Sequence, residues 1–147
     1  MGKTAFLFAG QGAQLPGMGK ELCEASPAAA AVFAAADSVR AGTSQQCFAG
    51  SQEELNRTIN TQPCVYCVDL AAARALEEAG IHPDAVAGFS LGEVAAMTFA
   101  GGFTDADGFS FVCYRAECMD YAAQRIPSGM VAVLKLDNET VEKICQE

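Results

Sequence analysis

The chain has 147 residues, which is the length of one domain with a sizeable core. Hydrophobic residues make up 51% of it and charged residues only 18%, so the composition excludes intrinsic disorder. Nine Lys and Arg residues against 18 Asp and Glu residues give a formal net charge of −9. Such a chain lacks the basic surface that follows a phosphate backbone, and we expect no nucleic-acid partner.

No stretch of the sequence is long and apolar enough to span a membrane, and the N-terminus has no secretory signal. We therefore predict a cytoplasmic protein with no membrane partner. The seven cysteines favour reduced, mostly buried thiols over a disulfide framework. Cys64 and Cys67 have the spacing of a metal-binding pair, but no second pair follows and His82 is the single histidine. We expect the pair to pack in a helical core and predict no metal site.

The predicted elements alternate between strand and helix. An apolar run over Thr4–Ala9 predicts a first buried strand, and the glycine loop Gly10–Gln14 follows it. Ser26 and Pro27 have the N-cap and first-position signature of a helix that ends at Gly42.

The middle of the chain continues the alternation. Ser51 and Glu54 fit a capping box for a short helix. A long helix with one apolar face is predicted over Pro63–Ala79. A second short buried strand is predicted at Ala85–Gly88, and a helix over Leu91–Ala100 comes after the next turn.

The last part of the chain predicts one more helix, strand and helix. Thr104 and Asp107 begin a helix that runs to about Arg125, Met130–Leu136 is a third strand, and Asp137 caps a final helix. Strands separated by helices predict an α/β fold with a parallel sheet and flanking helices. A usual sheet has about four to six strands and only three are predicted here, so we expect this sheet to be part of a larger fold.

The strongest chemical signal is G-x-S-x-G, which stands here as Gly88-Phe89-Ser90-Leu91-Gly92 between an apolar strand and a helix. The glycines allow a sharp turn that exposes the Ser90 hydroxyl at the carboxyl edge of the sheet and at a helix N-terminus. The backbone amide of Leu91 would face a developing oxyanion. The motif therefore makes Ser90 a candidate nucleophile.

The second signal is the loop Gly10-Gln11-Gly12-Ala13-Gln14 after the first strand. Two glycines let the main chain approach a ligand closely, and Gln11 can present an amide donor. A nucleotide-binding loop is the alternative, but G-x-G-x-x-G fails because position 15 is Leu.

The third signal is Arg115, which lies among mostly apolar neighbours that include Met119. Such an arginine can form a fork for a carboxylate in a partly dry pocket. The alternative, which the residues by themselves favour, is an arginine that lies along the surface of its helix. The residues themselves leave both interpretations open.

Taken in order, these motifs resemble the malonyl-CoA:acyl-carrier-protein transacylases. They are G-Q-G-A-Q, T-Q-P, G-F-S-L-G-E, R-A-x-x-M and V-L-K-L-D-x-x-x-V, so the resemblance covers the whole chain. It implies an incomplete α/β-hydrolase-like acyltransferase core over residues 1–128. Residues 129–147 would then be the first β-α of a small ferredoxin-like subdomain.

The resemblance implies transfer of malonyl from coenzyme A to the thiol of an acyl carrier protein through an acyl-serine, in fatty acid or polyketide synthesis. No cofactor is implied besides malonyl-CoA as substrate. Carried over by motif, Ser90 would be the nucleophile, and Gln11 with the Leu91 amide would hold the oxyanion. Arg115 would pair with the malonyl carboxylate, and Gln62 would lie in the pocket wall.

Two further residues are expected to contact the substrate, Met119 in the R-A-x-x-M stretch and Phe89 in the serine motif. Phe89 stands where the family usually has histidine, which bears on malonyl selectivity or rate. The resemblance also implies that this chain is an N-terminal half, because family members are about twice as long. Their catalytic histidine comes from the other half.

His82 cannot take the place of that base. It lies before the predicted strand and Ser90 lies after it, so about 15–20 Å separate them at ~3.3 Å per residue, whereas proton transfer needs hydrogen-bond reach. Two alternatives to an active transacylase therefore stay open. One is a serine esterase, and Arg115 separates it from a transacylase because a buried arginine favours an acyl group with a free carboxylate over a neutral ester. The other is a catalytically incompetent fragment or split-enzyme half that needs a second chain for its histidine base.

Overall fold

A computed structural model describes residues 2–126, 131 and 133–146. The described residues form two strands and eight helices, in the order β1 (Ala5–Phe8), α1 (Lys20–Ala25), α2 (Pro27–Val39), α3 (Thr43–Ala49), α4 (Gln52–Asn56), α5 (Thr58–Glu78), β2 (Ala85–Gly88), α6 (Leu91–Phe99), α7 (Asp105–Arg125) and α8 (Asn138–Gln146). The fold is therefore rich in helix around a small sheet.

The sheet consists of β1 and β2, which pair in parallel with Ala5 opposite Ala85 and Phe8 opposite Gly88. This confirms the two predicted strands and their parallel arrangement. Their predicted burial is wrong, because Phe6 and Phe8 are the only buried residues of the two strands. The third predicted strand, Met130–Leu136, lies partly outside the described residues. Its described residues are not in a strand, because they pair with neither β1 nor β2.

The core lies between one face of this sheet and the helices. The rings of Phe6 and Phe8 pack against Phe99 of α6, with centroid distances of 5.6 and 5.9 Å. Helix α5 packs against α2, α6 and α7, and it is the central helix of the fold. Cys64 and Cys67 are free thiols buried on α5, which confirms the prediction that they pack in the core.

Side-chain caps begin three helices where the sequence predicts them. The hydroxyl oxygens of Ser26, Ser51 and Thr104 each accept a hydrogen bond, at 3.1 Å, from the backbone amide three residues further on. Asp137 does the same for α8, since its Oδ1 accepts from the amide of Thr140 at 2.9 Å. Local cap chemistry therefore sets these boundaries.

Two helices were not predicted, and one begins earlier than predicted. Helices α1 and α3 follow a glycine and have no side-chain cap, so they lack the signature that marks the others. Helix α5 begins at Thr58 instead of Pro63, because the amides of Asn60 and Thr61 both donate to the carbonyl oxygen of Arg57 at 2.8 Å. The proline lies inside the helix and does not mark its first turn.

Within the described residues, no helix combines the length and the apolar character that crossing a bilayer requires.

Candidate active site

Ser90 lies in the tight turn that joins β2 to α6. Its backbone has φ 56° and ψ −110°, a conformation that a residue with a side chain rarely adopts. A Cβ atom on Gly88 would lie 2.1 Å from the carbonyl carbon of Gly92, and one on Gly92 would lie 2.4 Å from the carbonyl oxygen of Phe8. The two motif glycines therefore allow the turn to close against β1.

The first amides of α6 lie directly after this serine. The amide of Gly92 donates to the carbonyl oxygen of Phe89 at 2.9 Å, and that of Glu93 donates to the carbonyl oxygen of Ser90 at 3.1 Å. The amide of Leu91 is not among the donors that the turn uses. It lies at the N-terminus of the helix, where the backbone dipoles favour negative charge.

Gln11 lies on the same edge of the sheet as Ser90. Because β1 and β2 are parallel and Phe8 is opposite Gly88, the loops after both strands leave at one edge. The Phe89 amide donates to the carbonyl oxygen of Phe8 at 3.1 Å and ties the two loops together. The serine turn and the glutamine loop are thus adjacent.

Arg115 extends from α7 to the serine. Its Nη2 donates to Ser90 Oγ at 3.0 Å, and its Nη1 donates to the side-chain oxygen of Gln62. The side chain is half-buried. Of the two interpretations that the residues leave open, the structure therefore has the arginine directed into the site and not along the helix surface.

Gln62 is fully buried on α5 and is joined to the other side of the site through Thr58. Its Nε2 donates to Thr58 Oγ1 at 3.0 Å and also lies 3.3 Å from the sulfur of Met119. Thr58 Oγ1 in turn donates to Gln11 Oε1 at 3.2 Å. A continuous hydrogen-bonded chain therefore runs from Gln11 through Thr58 and Gln62 to the arginine and the serine.

Sequence reasoning missed Thr58. The signal that points to it is its position four residues before Gln62, which puts both side chains on one face of a helix. The signal was hidden because the helix was expected to begin at Pro63.

A cavity of about 550 Å³ lies over the serine. Its lining residues are Gln11, Gly12, Gln14, Asn56, Phe89, Ser90, Met119 and Val131. The ring of Phe89 is 73% exposed and lies over Gly10, where a Cβ atom would be 2.5 Å from Phe89 Cδ1. Phe89 and Met119 thus form an apolar part of the wall beside the hydroxyl.

Gln14 and Asn56 form a polar part of the wall that was not predicted. Gln14 accepts from the Gly12 amide at 2.8 Å and donates to Asn56 Oδ1 at 2.9 Å. These bonds hold the glycine loop against α4.

His82 lies on the exposed segment before β2, at the end of the strand opposite to Ser90. The chain has no other histidine, so the described site contains no imidazole. Among the described residues, no group of three or more His, Cys, Asp or Glu side chains is arranged to hold a metal ion.

The chain is similar in sequence and in structure to known proteins. Residues 5–147 match the family described as "Acyl transferase domain". The chain is 41% identical over 145 residues to the malonyl CoA-acyl carrier protein transacylase of Bacillus subtilis strain 168. The aligned residues are 98% of this chain and 46% of that protein.

Two solved structures are similar along nearly the whole chain. The malonyl CoA-acyl carrier protein transacylase of Clostridium perfringens is 34% identical with a TM-score of 0.83, covering 99% of this chain and 46% of that one. A malonyl-transacylase in complex with a type II polyketide synthase acyl-carrier protein is 33% identical, also with a TM-score of 0.83, covering 99% and 48%. The chain thus spans about half the length of the curated relatives it matches.

Proposed function

The chain belongs to the acyl transferase domain family, and we propose that it carries the serine side of a malonyl transfer site. Ser90 would receive malonyl from coenzyme A and pass it to the thiol of an acyl carrier protein. The observation that carries this proposal is the Arg115 guanidinium, which donates to Ser90 Oγ at 3.0 Å. A fixed cation beside the nucleophile suits an acyl group that ends in a free carboxylate.

In the first half-reaction Ser90 Oγ attacks the thioester carbonyl of malonyl-CoA. A carbon–oxygen bond forms, the carbon–sulfur bond breaks, and the serine proton leaves by way of a base to the departing thiolate. The side-chain amide of Gln11 and the backbone amide of Leu91 stabilise the oxyanion, where one good donor contributes about 3–4 kcal/mol. In the second half-reaction the carrier thiol attacks the ester carbonyl. A carbon–sulfur bond forms, the carbon–oxygen bond to Ser90 breaks, and the thiol proton passes by way of the base to Ser90 Oγ.

The base in this scheme comes from outside the described residues. Within them, the hydrogen-bond partner of Ser90 Oγ is Arg115, a cation that cannot accept a proton. His82 lies at the opposite end of β2. The remaining half of an acyltransferase domain is the proposed source of the base.

The substrate carboxylate is held by Arg115, and Gln62 fixes the plane of its guanidinium through the bond to Nη1. Phe89 and Met119 contact the methylene and thioester part of the acyl group on the apolar wall of the cavity. An acyl group without a carboxylate leaves the arginine without its ionic partner, so neutral groups are disfavoured.

The two substrates are malonyl-CoA and acyl carrier protein, in fatty acid or polyketide synthesis. The relative solved with an acyl-carrier protein supports the carrier as partner. The chemistry needs no cofactor, because the thioester itself is the activated group. We propose that the described residues up to Ile126 belong to an α/β-hydrolase-like core and that helix α8 belongs to the start of a ferredoxin-like subdomain.

Intact-mass spectrometry after incubation with malonyl-CoA tests the proposal, with the remaining half of the domain from the Bacillus subtilis relative added. We expect a malonyl adduct that disappears in Ser90→Ala. The matched control is Ser110→Ala on the exposed side of α7, which should keep the adduct. An adduct that persists in Ser90→Ala, or none with both halves present, would contradict the proposal.

A further inference from the structure

The loop that carries Gln11 is held in place mainly by hydrogen bonds. Residues 10–14 follow β1 as neither helix nor strand, and Gln11, Gly12 and Ala13 are exposed. Gly12 has a φ of 113°, and a Cβ atom added to it would meet nothing within 4 Å. Packing therefore leaves this part of the loop free, and polar contacts decide where the Gln11 amide lies.

The direction of the hydrogen bonds decides which end of the Gln11 amide faces the cavity. The guanidinium of Arg115 only donates, so Gln62 turns its oxygen to Arg115 and its Nε2 to Thr58. Since Thr58 Oγ1 accepts that bond, its own proton goes to Gln11 Oε1. The Nε2 group is then the end of the Gln11 amide that is left to donate into the cavity.

The backbone beside Gln11 is held by the side chain of Gln14. Gln14 Oε1 accepts from the amide of Gly12, the residue directly after Gln11, at 2.8 Å. Gln14 Nε2 donates to Asn56 Oδ1 at 2.9 Å. One side chain therefore connects the peptide that follows Gln11 to the end of helix α4.

Asn56 is the residue at which this connection meets α4. Its Oδ1 accepts from Gln14 Nε2 and from Gln52 Nε2, both at 2.9 Å. A carbonyl oxygen has two lone pairs, so these two bonds use the acceptor capacity of the Asn56 side chain. Gln52 Nε2 also lies 3.4 Å from the carbonyl oxygen of Gln14. The side-chain oxygen of Asn56 is thus the common acceptor that holds the loop to the helix.

Helix α4 is a firm support, although Asn56 itself is exposed. The helix begins at the side-chain cap of Ser51, and its Leu55 side chain is fully buried in the core. It also packs against α5, the helix that carries Thr58. The backbone and the amide of Gln11 are therefore held from two helices that are fixed relative to each other.

We propose that Asn56 is a positioning residue for the oxyanion donor of acyl transfer. Through Gln14 its oxygen fixes the peptide after Gln11, while Thr58 fixes the Gln11 amide itself. This inference rests on the proposed function for the role of Gln11, and it adds a residue that acts through another. Asn56 also lines the cavity, so a direct bond from its Nδ2 to the substrate is the alternative that the experiment separates.

Single-turnover formation of malonyl-serine at saturating malonyl-CoA tests this role, with the remaining half of the domain from the Bacillus subtilis relative present. Asn56→Leu keeps a similar volume but has no acceptor, and we expect about tenfold slower acylation of Ser90. Asn56→Asp keeps an oxygen acceptor for both glutamines and should retain most of the rate. Gln45→Ala, which removes an exposed amide from α3, is the matched control and should react as the parent chain does.

A double-mutant cycle with Gln11→Ala distinguishes positioning from a merely structural role. Gln11→Ala removes the donor and should slow acylation by about 100-fold. In that background Asn56→Leu should slow acylation by no more than about twofold, because the group that it positions is gone. The proposal is wrong if Asn56→Leu reacts at the parent rate or loses the same factor in both backgrounds. An Asn56→Asp variant as slow as Asn56→Leu would assign the Nδ2 group to the substrate and also overturn it.

Hydrogen exchange followed by NMR tests the loop without any acyl transfer. In Asn56→Leu the amide of Gly12 should exchange at least about threefold faster than in the parent chain, since Gln14 loses its acceptor. The amide of Ala29, which donates to Ser26 Oγ, should exchange at its parent rate. Unchanged exchange at Gly12 would contradict the positioning role. A parent chain that forms no malonyl-serine contradicts the proposed function instead, and the exchange at Gly12 still decides whether Asn56 holds the loop.

Discussion

The guanidinium of Arg115 donates to the hydroxyl oxygen of Ser90 at 3.0 Å, so a cation from α7 and the serine of the tight turn share one hydrogen bond. The residues are 25 positions apart in sequence. The bond depends on the packing of α7 against α5, where Gln62 holds the other arm of the guanidinium. An acyl group at the serine would therefore meet a fixed positive charge.

Removal of this charge should lower the selectivity for malonyl over acetyl more than it lowers the reactivity of Ser90. In Arg115→Ala, with the remaining half of the domain present, we expect malonyl-serine formation to fall about 10–100-fold, because a hydrogen bond to a charged group contributes about 1.5–3 kcal/mol. Acetyl-serine formation should change by no more than about threefold, since acetyl has no carboxylate to lose. Single-turnover rates with malonyl-CoA and acetyl-CoA measure both. Arg125→Ala, at the end of the same helix, is the control; equal losses for the two acyl groups would favour the esterase alternative.

Thr58 should act as a positioning residue, since its hydroxyl accepts from Gln62 and donates to Gln11. In Thr58→Val both bonds are lost with little change in volume, and we expect malonyl-serine formation to slow by about tenfold. Thr58→Ser keeps the hydroxyl and should restore most of the rate, while the melting temperatures of both variants stay close to that of the parent chain. If Thr58→Ser is also slow, the packing of the Thr58 methyl group and not its hydrogen bonds determines the rate of malonyl-serine formation.

Gly88 should tolerate no side chain, because its Cβ would lie 2.1 Å from the backbone of Gly92. In Gly88→Ala the turn has to open, and we expect the free energy of unfolding to fall by about 3 kcal/mol or more. Gly2→Ala is the matched control, since nothing lies within 4 Å of the added atom. Urea unfolding compares the two. A Gly88→Ala chain as stable as the control would mean that the turn is wider than described.

Asp69 should make stability depend on pH. Burial raises the pKa of its carboxyl to about 7, above its value near 4 in the unfolded chain, so the folded state binds the proton more tightly. The resulting contribution to stability is complete below about pH 4 and is lost as the pH rises to about 7. In Asp69→Asn this part of the pH dependence should disappear, so the variant should gain stability over the parent chain at pH 8 relative to pH 5. Urea unfolding at both pH values measures it.

The control for this experiment is Glu117→Gln, which removes an exposed carboxylate from α7. It should leave the pH dependence of the parent chain unchanged. If Asp69→Asn follows the parent chain between pH 5 and pH 8, the carboxyl is not buried as the structure describes.

Several elements were predictable because short-range chemistry sets them. The strand β2 was predicted at Ala85–Gly88 and lies there, since an apolar run ends at the glycine of the serine motif. The helices α2, α4 and α7 begin at the N-cap residues that their sequences predict. The beginning of α5 was not predictable in this way, because backbone bonds to the Arg57 carbonyl and not a side-chain cap set it.

The sequence by itself determined both strands, six of the eight described helices and the tight turn at Ser90, because turns, caps and apolar runs act over a few neighbouring residues. Only the tertiary structure decided that Arg115 reaches the serine and that Thr58 and Gln62 connect it to Gln11. These features depend on how helices far apart in the chain pack together. A hydrophobic pattern shows which face of an element is apolar, but it does not say which other element that face meets.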